Sequence, residues 1–134
     1  PKVRADKAAV AQLATDADVT RVPPSALAVL AELMERRGLD PAPLLARARG
    51  TYPNEFELAF KLGQWHVYSK SGEQIGPYEA ARALRPDHTT VLNNLGVALH
   101  DKGDLDGAQA AFRTAIALDP KYALAHFGLG NALR

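Results

Sequence analysis

The residues with the most chemical potential in this chain are four histidines, the acidic turn Asp104-Leu105-Asp106-Gly107 and the pair of glycines in Gly128-Leu129-Gly130. His66, His88, His100 and His126 are widely spaced, and no two lie one helical turn apart, so the paired-histidine arrangement of a zinc protease is absent. His100 stands next to Asp101, as an acid/base pair would, but no nucleophile stands beside them in sequence. The acidic turn resembles the middle of a calcium loop. Its first ligand position would fall on Lys102 and its closing glutamate on Arg113, both wrong for calcium, so the turn reads as a helix cap. Gly128-Leu129-Gly130 begins like a dinucleotide fingerprint but lacks the final glycine and a preceding strand. There is no cysteine, hence no disulfide, thiol nucleophile or cysteine metal site. Arg47 with Arg49 and Arg82 with Arg85 are modest basic pairs that read as solvated faces, not as a nucleic-acid stripe with stacking aromatics. A net charge of +1 gives no field to draw nucleic acid or anionic membrane. These readings imply no catalysis, no cofactor and no metal.

The elements that carry these residues are organised around one stretch, Thr89 to Tyr122. Leu92, Leu95 and Leu99 recur at helical spacing and make one apolar stripe, with Gly96 beside it to let a second helix come close. Asp101 to Asp104 interrupts the pattern. Gly103 suits a left-handed helix end and Asp104 suits the N-cap of the next helix. Ala108, Phe112 and Ala115 form the second stripe, a large knob between two small residues, and Pro120 stops that helix. Such a hairpin cannot bury its apolar faces alone and requires neighbours.

The same letters recur along the chain. In residues 23–53, Leu27, Leu30, Ala31 and Met34 take the first-helix positions, Gly38 matches Gly103, Leu45 and Ala48 point inward, and Pro53 matches Pro120, with the turn or second helix shortened. In residues 54–88, Ala59, Leu62, Gly63 and His66 are followed by Tyr78, Ala81 and Pro86. There Gln74 stands where a small residue belongs. Pro77 forces a short second helix starting near Gly76 or Pro77 after a long loop from Ser69. Residues 89–122 are the regular unit, and 123–134 supply one further first helix, with His126, Leu129, Gly130 and Leu133 in register and an apolar surface nearly all round. His66 and His126 are expected half-buried. Residues 1–22 read as a packing or linker helix over Ala5 to Thr15, with Ala8, Ala9, Val10 and Leu13 on its inner face. The start at Pro1 and the stop within a repeat suggest a fragment of something longer.

Leu92, Leu95, Gly96, Leu99, Ala108, Phe112 and Pro120 fill the diagnostic positions of the tetratricopeptide repeat (TPR), and the chain resembles that family. The resemblance implies an all-α, right-handed α-solenoid of stacked antiparallel helix hairpins. ARALRPDHTTVLNNLGVAL, AIALDPKYALAHFGLGNAL and LLARARGTYPNEFELAFKLG resemble the TPR arrays that follow the catalytic domain of bacterial serine/threonine protein kinases. Similar text occurs in glycosyltransferases of the O-linked N-acetylglucosamine type. No kinase signature is present in the chain itself: no glycine-rich phosphate loop, no H-R-D, no D-F-G.

In a TPR array the first helices line a concave face. By register these positions are Ala28, Glu32 and Glu35, then Phe60, Gln64, Val67 and Tyr68, then Asn93, Val97, His100 and Asp101, and finally Phe127 and Asn131. The resemblance therefore implies a peptide-binding groove for a protein or peptide ligand, or for an amphipathic helix. The acids favour a partner of slightly basic character. Ala28 and Glu32 stand where a carboxylate clamp would carry lysine and asparagine, so no clamp is expected. The alternative is a spacer that self-associates end to end through its apolar C-terminal helix. No apolar run is long enough to insert in a membrane, and the absence of cysteine and of a visible signal peptide fits a cytoplasmic setting. The register has a direct test in urea denaturation. Leu95→Ala is expected to destabilise by about 2–5 kcal/mol and Ala108→Leu by about 1–3 kcal/mol. Neutral results at both would put the register wrong.

Overall fold

Proline and glycine set the punctuation of the fold. In the computed structural model, which describes residues 2–69 and 72–134 (side chains from residue 6), eight helices and no strand occur among the described residues. They are α1 (Lys2–Asp16), α2 (Pro24–Arg36), α3 (Ala42–Thr51), α4 (Phe56–Tyr68), α5 (Ile75–Leu84), α6 (Thr89–Lys102), α7 (Leu105–Leu118) and α8 (Ala123–Ala132). Helices α3, α5 and α7 end two residues before Pro53, Pro86 and Pro120. Each is closed by the same backbone bond: Tyr52 N–H to Ala48 C=O (2.8 Å), Arg85 N–H to Ala81 C=O (2.9 Å) and Asp119 N–H to Ala115 C=O (2.9 Å). At the other hairpin end, Gly103 takes φ 93° and Gly38 φ 72°. In both, the following N–H reaches back into the helix, Asp104 to Leu99 C=O and Leu39 to Met34 C=O, each at 2.9 Å. Asp104 Oδ1 then accepts the Gly107 N–H at 2.9 Å and starts α7.

The helices pack as hairpins, α2 on α3, α4 on α5 and α6 on α7, and each hairpin leans on the next through α3 on α4, α5 on α6 and α7 on α8. The result is an α-solenoid with an apolar core running its length. One segment of core gathers Ala14, Leu27, Ala31, Leu44, Leu45, Ala48, Leu58 and Leu62. The next holds Phe56, Ala59, Ala81 and Val91. The last holds Leu92, Ala108, Phe112, Ala115 and Ala125. Leu58, Val91 and Ala125 occupy one register position in α4, α6 and α8. Each is fully buried and joins the core of the hairpin before it. These are the seams between hairpins.

The glycines beside the leucine stripes do the spacing. A Cβ on Gly63 would meet the Tyr78 ring at 2.6 Å, one on Gly96 the Phe112 ring at 2.7 Å, and one on Gly128 the same ring at 2.4 Å. Gly130, expected at a close crossing, has nothing within 4 Å. It is the register equivalent of Gly63 and Gly96, but no aromatic ring faces it among the described residues.

Several expectations are corrected. Helix α1 buries Ala14 and half-buries Val10, while Ala8, Ala9 and Leu13 are exposed. The roll of the helix is set by Arg47, whose guanidinium donates to the carbonyls of Ala14 (2.7 Å) and Ala17 (3.2 Å). Arg47 therefore clasps the end of α1 while its side chain stays exposed. Arg85 lies over the Phe56 ring at 4.2 Å, a cation–π contact. Helix α3 has 10 residues against 14 in α7, so the second helix of the first hairpin is the shortened part. Helix α5 starts at Ile75, one residue earlier than expected, which places Pro77 in the first turn where its missing N–H is tolerated. Of the loop expected from Ser69, residues 70 and 71 lie outside the described residues, as do Pro1 and the side chains of residues 2–5. His126 is exposed, with Nε2 donating to the Pro120 carbonyl at 2.8 Å. His66 is half-buried.

The contrast between glycines gives an expected outcome. Gly96→Ala forces a methyl into a ring held on both sides and should destabilise by about 1–3 kcal/mol. Gly130→Ala meets open space and gains helix propensity, so it should stabilise by up to about 1 kcal/mol. Paired denaturant curves check both, and equal effects at the two positions would contradict the spacing role of Gly96.

Candidate functional site

Helices α2, α4, α6 and α8 each bury one stripe in the core and leave a second stripe on a shared face. Three adjoining depressions lie along that face. The first, about 450 Å³, is lined by Glu35, Arg36, Lys61, Gln64, Trp65 and Tyr68. The second, about 350 Å³, is lined by Gln64, Val67, Tyr68, Tyr78, Asn94 and Val97. The third, about 310 Å³, lies between α6 and α8 and includes Asn93, Val97, His100, Asp101, Phe127 and Asn131. Gln64 and Tyr68 belong to the first and second, and Val97 to the second and third, so the depressions join into one groove.

The expected groove residues Gln64, Val67, Tyr68, Asn93, Val97, His100, Asp101, Phe127 and Asn131 are thus brought together. Tyr68 is 80 % exposed and Phe127 71 %. Three expected residues, Phe60, Glu32 and Ala28, are not part of the lining. Phe60 is half-buried in a ring cluster with Phe56 (5.4 Å), His88 (5.5 Å) and Tyr78 (6.3 Å), where it packs the α4–α6 seam. Glu32 stands beside the first depression, paired with Arg36 at 2.7 Å and near Lys61 at 4.0 Å. Ala28, read as an inner-face position, is buried in the core.

Sequence register missed Trp65, Lys61, Asn94 and Tyr78. Lys61 and Asn94 follow Phe60 and Asn93 and share one position, which was a usable signal. Tyr78 and Phe112 come from the second helices, and only the glycine gaps at Gly63 and Gly96 explain how their rings reach the groove floor. Burial raises the Tyr78 phenol above its ordinary value, opposed by the hydrogen bond that Asn94 Nδ2 makes to its oxygen at 3.3 Å. Among the described residues no group of three or more His, Asp or Glu could hold a metal ion. His100 and Asp101 stand 3.7 Å apart on an open rim. Among the described residues no helix is long and apolar enough to cross a membrane.

A family profile described as the TPR repeat matches residues 98–133. Among solved structures, a MamA protein of strain MSR-1 is similar, with TM-score 0.76 and 23 % identity over 92 % of this chain and 73 % of that one. MamA from Desulfovibrio magneticus RS-1 gives TM-score 0.73 and 21 % identity, covering 82 % of this chain and 64 % of the other. The second TPR domain of human RPAP3, solved with the HSP70 peptide SGPTIEEVD, gives TM-score 0.73 and 16 % identity over 84 % of this chain and 99 % of that domain. These likenesses establish the fold.

The first depression has a titration signature. Partial desolvation raises the Glu35 carboxyl above 4.5, with Lys61 opposing the shift and Glu32 adding to it. A carboxyl raised by folding holds its proton more tightly in the folded state. Its contribution to stability is full below the unfolded value and declines as pH rises through the shifted one. Glu35→Gln should therefore gain stability relative to the parent on passing from acid to neutral pH. The gain is small because Glu35 is largely exposed. Denaturation curves across that range check the sign, and a difference that falls with pH would reverse it.

Proposed function

We propose that this chain is a non-catalytic protein-interaction module. Its groove across α2, α4, α6 and α8 holds a peptide or an amphipathic helix of another protein. The observation that carries the reading is the set of exposed rings outside the core, Tyr68 (beside the Trp65 ring at 5.7 Å) and Phe127 foremost, standing along joined depressions. Exposed aromatics around a concave surface are what binding hot spots are made of. The RPAP3 domain, similar in fold, was solved with a peptide, which supports a peptide-binding use of this fold. The positions for a carboxylate clamp carry Ala28 and Glu32, and Ala28 is buried, so the ligand here is not held by its C-terminal carboxylate.

We read the chain as repeats at 23–53, 54–88 and 89–122 followed by a first helix at 123–134, with 1–22 as a packing helix. The resemblance to kinase-associated arrays favours a place in a larger signalling protein, working in the cytoplasm. A second reading is end-to-end self-association. It is favoured by the open Gly130 and by Leu133, which is 56 % exposed at the C-cap of α8.

Alanine variants separate the two readings. With a partner recovered on the full chain, Tyr68→Ala and Phe127→Ala are each expected to weaken binding about tenfold or more, as for hot-spot aromatics. Their melting temperatures should not change. Phe60→Ala should instead lower the melting temperature. Unchanged binding at Tyr68 and Phe127, together with an oligomer that Leu133→Glu dissociates in sedimentation, would replace the groove by the end-to-end contact.

A further inference from the structure

Asn93 is out of keeping with a packed helix. It sits in the middle of α6, is 6 % exposed, and its Oδ1 has no hydrogen-bond partner in the protein. A buried amide left this way destabilises the fold relative to an apolar side chain of similar volume. The fold does not require an amide at this position. The same register in α2, α4 and α8 carries Ala28, Phe60 and Phe127. The neighbouring Asn94, by contrast, is tied to the Tyr78 oxygen.

Asn93 lines the third depression, and the surroundings define what would pair with it. Phe112 and Gly128 contribute apolar surface to its lining, as do Val97, Leu124 and Phe127. A side chain at Gly128 would collide with Phe112, so glycine there keeps the cavity's shape. His100, Asp101 and Asn131 supply the polar part of the lining, and Asp101, its side chain 67 % exposed, is the one formal charge. Among the described residues no lysine or arginine lines the cavity. A phosphate or carboxylate ligand would be left without a counter-charge. An amide side chain offers both a donor and an acceptor, which a peptide bond matches on both counts.

We propose that the cavity between α6 and α8 is the specificity subsite of the groove. It takes one large apolar side chain of a peptide, whose own backbone amide pairs with Asn93, while a lysine or arginine next to that residue faces Asp101. This rests on the groove reading above and adds the sequence character of the ligand: a bulky apolar residue adjacent to a basic one. The amide is retained against its cost to stability because the ligand completes its hydrogen bonds, a trade characteristic of functional sites.

The test is a selection from a phage-displayed library of random dodecapeptides on the whole chain, followed by calorimetry with the enriched peptide as a synthetic ligand. Enriched peptides are expected to share Leu, Ile, Met or Phe beside Lys or Arg. Asn93→Leu is expected to weaken that peptide at least tenfold while raising the thermal midpoint, which a structural role for the amide would not do. Asp101→Asn should weaken the peptide but not its Lys/Arg→Gln version. A lowered midpoint for Asn93→Leu, or peptides without the shared pair, would overturn the proposal. If Tyr68→Ala weakens binding and Asn93→Leu does not, the subsite fails and the groove stands. If neither changes binding, or nothing is enriched, the groove reading fails with it.

Discussion

The contact between an aromatic ring and a helix with a missing side chain governs this structure. Tyr78 fills the space left by Gly63, and Phe112 fills the space left by Gly96 and Gly128. Both rings are fully buried as residues. The contact sets how near two helices of a hairpin approach. It also leaves each ring at the base of a depression, where it is among the lining residues. One interaction therefore holds the hairpin closed and shapes the base of the depressions. The Phe112 case goes further, because its ring is gripped by α6 of its own hairpin and by α8 of the next. Hairpin closure and hairpin stacking are coupled there through one side chain.

The elements were legible where a residue acts on its own backbone or its own hairpin. Pro53, Pro86 and Pro120, the left-handed Gly38 and Gly103, and the knobs Tyr78 and Phe112 all behave as their letters imply, because proline, glycine and a large ring between small residues carry their geometry with them. What register could not show were the contacts whose partner lies in another hairpin. Leu58, Val91 and Ala125 look like ordinary helix residues until the neighbouring core is present. The roll of α1 depends on Arg47, 33 residues away from the carbonyl it meets. Phe60 belonged to the groove by register and to the seam in fact, because His88 and Phe56 close over it. The groove was legible as a face, through Tyr68, Val97 and Phe127. Its floor was not, since the floor is contributed by the second helices through gaps that only packing reveals.

Charge along the groove is mostly settled within the protein. Glu32 is held by Arg36 and approached by Lys61, and the chain carries a net charge of only +1. Long-range steering is correspondingly weak. On the proposed reading, discrimination between ligands comes from short-range terms: the shape of depressions between successive first helices, the exposed rings, and the few amides set into an apolar surface. These terms act only once the partner is already docked, so they govern residence time more than encounter.

The first helices carry two stripes with separate obligations. On one, Leu62, Leu92 and Leu95 are buried, and exchanging any of them changes the volume of a close-packed core. On the other, Gln64, Tyr68 and Val97 are exposed and line the depressions. The ring-in-glycine contact is what allows this separation, since it fixes helix position from beneath and asks nothing of the outer stripe. The outer stripe can therefore vary without refolding the hairpins. Asn93 is the exception that shows where the two obligations meet: on the groove by its lining, in the core by its burial, and satisfied by neither alone.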